Sequence, residues 1–152
     1  METNYPPKPE PPRPKPDPKP RNISVAVIRD PRTGEPRIVL DPPTIDLTVN
    51  EQAAWRSNDG RLEIRFSVNN TPFAGATYKT ARGGTILSGA PSRDRISAVP
   101  YKYTLLVTSN KGFFLKLDAD IRVVGQNTPP RVKNESLFCR LIHWIERVCC
   151  KK

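Results

Sequence analysis

Nine of the chain's 18 prolines fall within its first 20 residues. From Pro7 to Pro20 a proline stands at nearly every second position, alternating with Lys8, Glu10, Arg13, Lys15, Asp17 and Lys19. Proline has no N–H and a fixed φ, so neither a packed helix nor a central strand forms at this density. Residues 1–21 are therefore expected to be a disordered, hydrated arm of polyproline II character that buries no apolar area. Its simplest role is a stiff spacer. Pro9 and Pro12 also have the PxxP spacing that docks in aromatic-lined grooves, although any proline-rich tract meets that spacing by chance.

From Asn22 the texture changes to short β-branched runs separated by turn residues. The runs are Ile23 to Ile28, Arg37 to Leu40, Thr44 to Val49, Ala53 to Trp55, Leu62 to Val68, Tyr101 to Thr108, Phe113 to Leu117 and Ile121 to Val124. Between them lie Asp30-Pro-Arg-Thr-Gly34, Asp41-Pro-Pro43, Asn58-Asp-Gly60, Asn69-Asn-Thr-Pro72 and Ser109-Asn-Lys-Gly112, each a turn signal with a steric or hydrogen-bonding cause. So many short strands within residues 22–126 predict one all-β domain, a sandwich or barrel. Alternation assigns the faces. Ile45, Leu47 and Val49 share one side of a strand, and Leu62, Ile64 and Phe66 share one side of another, which leaves Arg61, Glu63 and Arg65 outward. Residues 69–100 have weak pattern, and Thr85 to Leu87 is a candidate short strand within them.

After Val124 the segment Gly125-Gln-Asn-Thr-Pro-Pro130 closes the sheet region, and residues 127–134 read as a linker. Residues 135–150 then take a helical period. At 100° per residue Leu137, Leu141, Trp144, Ile145 and Val148 fall on one face, with Phe138, Ile142 and Cys149 along its edge and Arg140, His143, Glu146 and Arg147 opposite. Asn134 or Ser136 suits the N-cap, and Arg147, Lys151 and Lys152 suit the negative end of the dipole. Such a helix packs on its own domain or binds elsewhere. For binding, the candidate contacts are Phe138, Leu141, Trp144, Ile145 and Val148, flanked by Arg140, Arg147, Lys151 and Lys152. The matching partner is an anionic membrane surface or a protein groove. Cys149 and Cys150 beside the basic end are also placed to carry acyl chains.

At Val49 to Phe66 the chain reads Val-Asn-Glu-Gln-Ala-Ala-Trp-Arg-Ser-Asn-Asp-Gly-Arg-Leu-Glu-Ile-Arg-Phe. A strand ending in a short turn, a second strand carrying Trp, an Asn-x-Asp-like turn and a third strand resemble the cupredoxin pattern. Pro72-Phe73, the Gly83-Gly84 and Ser88-Gly89 turns, Tyr101-Lys-Tyr-Thr104 and the closing Asp118-Ala-Asp-Ile-Arg-Val123 resemble copper-free bacterial relatives of plastocyanin and azurin. The resemblance spans about residues 44–124 and implies a cupredoxin-like Greek-key β-sandwich.

The family's copper chemistry does not carry over. The position of the first ligand His falls at or near Glu63, and no Cys, His or Met lies between Ser88 and Lys102. Blue-copper sites need a thiolate and two imidazoles, and this chain has one His. Cys139, His143, Cys149 and Cys150 compose a Cys3His set on paper, but all come from one helix end at irregular spacing, and three reduced thiols are the simpler reading. No cofactor is expected. Gly83-Gly84 is not followed by the Lys-Ser/Thr of a phosphate loop, and no G-x-S-x-G elbow occurs. These absences argue against an enzyme.

The formal net charge is +10. The last 26 residues carry the densest share, six basic against two acidic. Basic charge attracts anions generally. A nucleic-acid interface further needs interleaved stacking aromatics; Arg56, Arg61 and Arg65 form a candidate stripe, but Glu63 interrupts it. The opening Met-Glu-Thr-Asn-Tyr-Pro-Pro has neither the basic nor the apolar region of a secretory signal, and no apolar run approaches the roughly 18 residues of a membrane span. The expected location is cytoplasmic, at the membrane surface if the terminal helix binds there. The function expected is a non-enzymatic adaptor or ligand-recognition module, with a basic nucleic-acid-binding domain or a metal-dependent electron carrier as the alternatives.

Overall fold

The computed structural model describes residues 10–80 and 83–128. Nine strands occupy them: β1 (Lys19–Arg29), β2 (Pro36–Asp41), β3 (Ile45–Leu47), β4 (Glu51–Ser57), β5 (Gly60–Phe66), β6 (Thr77–Lys79), β7 (Thr85–Leu87), β8 (Tyr101–Ser109) and β9 (Phe114–Val123). They form a four-stranded sheet in the order β2-β1-β4-β7 and a five-stranded sheet in the order β3-β9-β8-β5-β6. The expected all-β class is observed. Two neighbours are parallel, β1 with β4 and β3 with β9, and the rest are antiparallel.

Alternating side chains explain why the sheets stack. On β5 Leu62, Ile64 and Phe66 are buried while Arg61 and Arg65 are exposed, as the sequence predicts. Ile45 and Leu47 of β3 are likewise buried, and Val49 lies half-buried beyond the strand's end. Between the sheets Trp55 is fully buried, with its ring edge-on to Phe73 at 6.4 Å and to Tyr103 at 5.8 Å. Phe66 joins them, 5.5 Å from Phe73 and 5.3 Å from Tyr103. Such pairs contribute about 0.5–1.5 kcal/mol each beyond the apolar area they bury.

Four departures from the sequence reading have physical causes. The first strand begins at Lys19, three residues ahead of the expected boundary. Its Lys19 N–H donates to the Asn50 carbonyl at 2.9 Å, so Pro20, next along, turns its missing N–H to the other side, where β2 does not reach. The runs expected as two strands, 113–117 and 121–124, are one strand, β9, because Ala119 and the flanking Asp118 and Asp120 keep the alternation unbroken. The fifth strand stops at Phe66, and Val68 lies in the following turn, 81% exposed. Within the weak stretch 69–100 are β6, the anticipated β7 and a 3-10 turn at Arg93–Arg95. The proposed helix at 135–150 and most of the linker before it lie outside the described residues.

Candidate functional site

The five-stranded sheet turns a charged face to solvent, on which Glu63, Asp118 and Asp46 have defined partners. Glu63 accepts from Arg65 Nε at 2.6 Å and lies 3.4 Å from Lys79 Nζ. Asp118 accepts from the Thr104 hydroxyl at 2.8 Å and lies 3.3 Å from Lys116 Nζ. The Arg65 hydrogen bond holds Glu63 below the usual carboxylate range, and the Thr104 hydroxyl does the same for Asp118. Arg122 donates Nε and Nη2 to the two oxygens of Asp46, at 3.1 and 2.7 Å, which ties β3 to β9. Sequence alone missed this pair because its members are 76 positions apart; the signal was the outward place of Asp46 between Ile45 and Leu47. Leu106, on the same face, is nevertheless buried, flanked in register by Glu63 and Lys116.

This face does not assemble the nucleic-acid stripe considered above. Arg61 and Arg65 stand on β5, but Arg56 projects from β4 in the other sheet. The aromatic side chain at the surface of β9 is Phe114, 67% exposed at its start. One edge aromatic does not interleave with the cations as a stacking platform requires.

The position aligned with a first copper ligand, Glu63, points to solvent and is held by two cations. The loop joining the last two strands is Asn110-Lys111-Gly112-Phe113, a different place from the 88–102 stretch read from sequence, and it too contains no Cys, His or Met. Among the described residues no three His, Cys, Asp or Glu side chains gather as a metal site. The paper set Cys139, His143, Cys149 and Cys150 lies outside those residues. So do all the sequence-predicted binding residues: Phe138, Arg140, Leu141, Trp144, Ile145, Arg147, Val148, Lys151 and Lys152.

Two surface grooves are sizeable. One, of about 710 Å³, lies along Asn22 to Val27 of β1 with Arg56, Asn58 and Asp59. The other, about 750 Å³, lies where the arm meets the domain, between Lys15 to Pro18 and the loops holding Asn50 and Ala90 to Arg93. There Gln52 Nε2 donates to the Pro18 carbonyl at 2.9 Å, so the arm's last residues are tied down. Among the described residues no helix is long and apolar enough to cross a membrane. No protein-family model and no curated protein matches this chain.

Proposed function

We propose that this chain is a non-enzymatic recognition module, a cupredoxin-like Greek-key sandwich without copper, held to an anionic membrane surface by residues 135–150. Support for the family reading comes from strand order. The chain leaves the first sheet after β2, enters the second as β3 beside β9, and returns so that β4 lies parallel to β1. Connections that pass between sheets in this way are those of a Greek-key sandwich. Trp55, which carries the resemblance in sequence, is at the centre of the core.

The observation that carries the function is the apolar face of Leu137, Leu141, Trp144, Ile145 and Val148, with Arg140, Arg147, Lys151 and Lys152 at its borders. The sheets already bury their inward residues against one another, from Ile23 to Val123. A helix beyond a Thr128-Pro-Pro130 linker is then available for an external surface. About 15 residues are too few to span a bilayer but suit the interface, where each Lys or Arg contributes about 1 kcal/mol.

The test is co-sedimentation of the intact chain with anionic and neutral vesicles, against a variant carrying Leu141→Ser and Trp144→Ser. Binding to anionic vesicles that the double variant loses is the expected result. Absence of binding to either vesicle type refutes the membrane reading and leaves a protein groove for the same face. Protection of residues 137–148 from hydrogen exchange in the free monomer returns the segment to its own domain.

A further inference from the structure

The strand β9 is ten residues long, but β3 pairs only with its Ile121–Val123 end. Among the described residues no strand pairs with the outer edge of Phe114 to Ala119. The hydrogen-bonding direction along this edge follows from its two ends. The Phe113 carbonyl accepts from Ser109 N–H on the β8 side at 2.8 Å, and Val124 N–H donates to Leu47 on the β3 side at 2.8 Å. Odd residues thus bond toward β8, and the N–H and C=O groups of Phe114, Lys116 and Asp118 point to the open edge. The stretch Phe114-Leu-Lys-Leu-Asp-Ala119 contains no proline or glycine to blunt it. Lys116 is the usual kind of edge charge, but Asp118 on the same strand neutralises it at 3.3 Å.

We propose that this edge pairs with the same edge of a second copy of the chain, antiparallel, about a two-fold axis at Leu117. The charges select the register. An axis at Lys116 sets two lysines opposite each other, and an axis at Asp118 sets two carboxylates opposite each other. With the axis at Leu117, Lys116 faces Asp118 of the second copy and Asp118 faces its Lys116, while Leu117 meets Leu117 and Leu115 meets Ala119 on the inner face. The paired window then runs from position 114 to position 120, which ends just before β3 begins to cover the strand at Ile121. Phe114 of the second copy arrives opposite position 120, on the outer face that Lys116 and Asp118 share. The result is a closed, isologous dimer with one sheet continuous across it.

Sedimentation velocity of the full chain over a range of concentrations tests this. The parent should dimerise with concentration. Lys116→Asp and Asp118→Lys, each of which sets like charges opposite, should weaken the dimer by about tenfold or more when alone. An equimolar mixture of the two should recover it, because each then supplies what the other lacks. Lys116→Pro removes an N–H that faces the open edge and leaves the β8 ladder intact, so it should give a monomer that melts where the parent does at dilutions at which the parent is itself monomeric. A parent that stays monomeric, or a dimer that survives the single charge reversals, overturns the proposal, as does a mixture that stays monomeric. Amide exchange in the parent decides independently of how the variants fold. Protection of the Lys116 and Asp118 N–H groups that rises with concentration supports the pairing, and protection that does not change refutes it.

Discussion

Gly60 shows how one residue permits the chain to pass from one sheet to the other. It follows Asn58 and Asp59 at the end of β4 and opens β5 with φ at +147°, a conformation that side-chain-bearing residues rarely adopt. A Cβ built there would overlap the carbonyl oxygen of Thr108 on the neighbouring strand, a backbone atom that cannot swing aside. Around the same corner Ser57 and Ser109, both buried, turn their hydroxyls to local amides, accepting from Asp59 N–H at 3.1 Å and Lys111 N–H at 3.1 Å. Gly60→Ala therefore combines backbone strain with a steric clash, and its expected cost is on the order of 2–4 kcal/mol, read from the urea midpoint at unchanged slope. Gly34→Ala is the control. Gly34 also has positive φ, at +71°, but its Cβ would meet nothing within 4 Å, so only the strain remains and the loss should be nearer 1 kcal/mol.

At the scale of elements the arm and the first strand are one continuous stretch, so truncation should have a threshold. Lys19, Pro20 and Arg21 pair with Glu51, Gln52 and Ala53, and the Pro18 carbonyl receives Gln52 Nε2. Deleting residues 1–14 should leave the thermal midpoint nearly unchanged, whereas deleting residues 1–21 should lower it, with a loss of stability of roughly 1–3 kcal/mol for the bonds removed. Equal midpoints for the two truncations would show that these pairings contribute nothing. The threshold was not legible in sequence, because Lys19-Pro20 continues the composition of the arm and strand pairing there depends on a partner 32 residues away. Legible instead was whatever alternation alone decides: the inward set of β5, the buried Ile45 and Leu47, and the turn at Asp30, whose carboxylate accepts from the amides of Arg32 and Thr33 at 2.8 and 3.3 Å. The strand β6 escaped notice since three residues with a single inward aromatic, Tyr78, give no period to read. Of the candidate site, the terminal apolar face is a pattern of the sequence that lies outside the described residues. The open edge of β9 was not, because an edge is defined by the strand that fails to cover it.

For the whole molecule, the ionisable groups predict stability that is lost at both ends of the pH scale, for different reasons. On the acid side Glu63, Asp118 and Asp30 are all held below their ordinary values, by Arg65, by Thr104 and by the backbone amides of Arg32 and Thr33 respectively. A carboxylate with a lowered folded pKa stabilises the fold above its unfolded pKa of about 4, and the contribution disappears as pH falls through the folded value. All three are at the surface, so this shoulder should be shallow and further flattened by salt. On the alkaline side Tyr103 dominates. Burial between the sheets pushes its phenol up to about 12 from 10.0, while the Trp55 Nε1–H, 3.4 Å from its oxygen, acts in the opposite sense. With the folded value raised, the neutral phenol's contribution is intact below pH 10 and is lost as pH climbs from there through about 12, a change of roughly 2–3 kcal/mol. Tyr103→Phe separates this effect from general alkaline unfolding. It leaves the buried Trp55 N–H without its acceptor, so stability at pH 7 should fall by about 1–3 kcal/mol. The slope of stability against pH between 10 and 12 should become flatter than the parent's, because one of the two phenols that burial raises, Tyr103 and Tyr78, is gone. Urea unfolding of both proteins, followed by Trp fluorescence at steps of pH across that window, measures the two slopes; equal slopes would mean that Tyr103 is not the group that makes the fold sensitive to alkali.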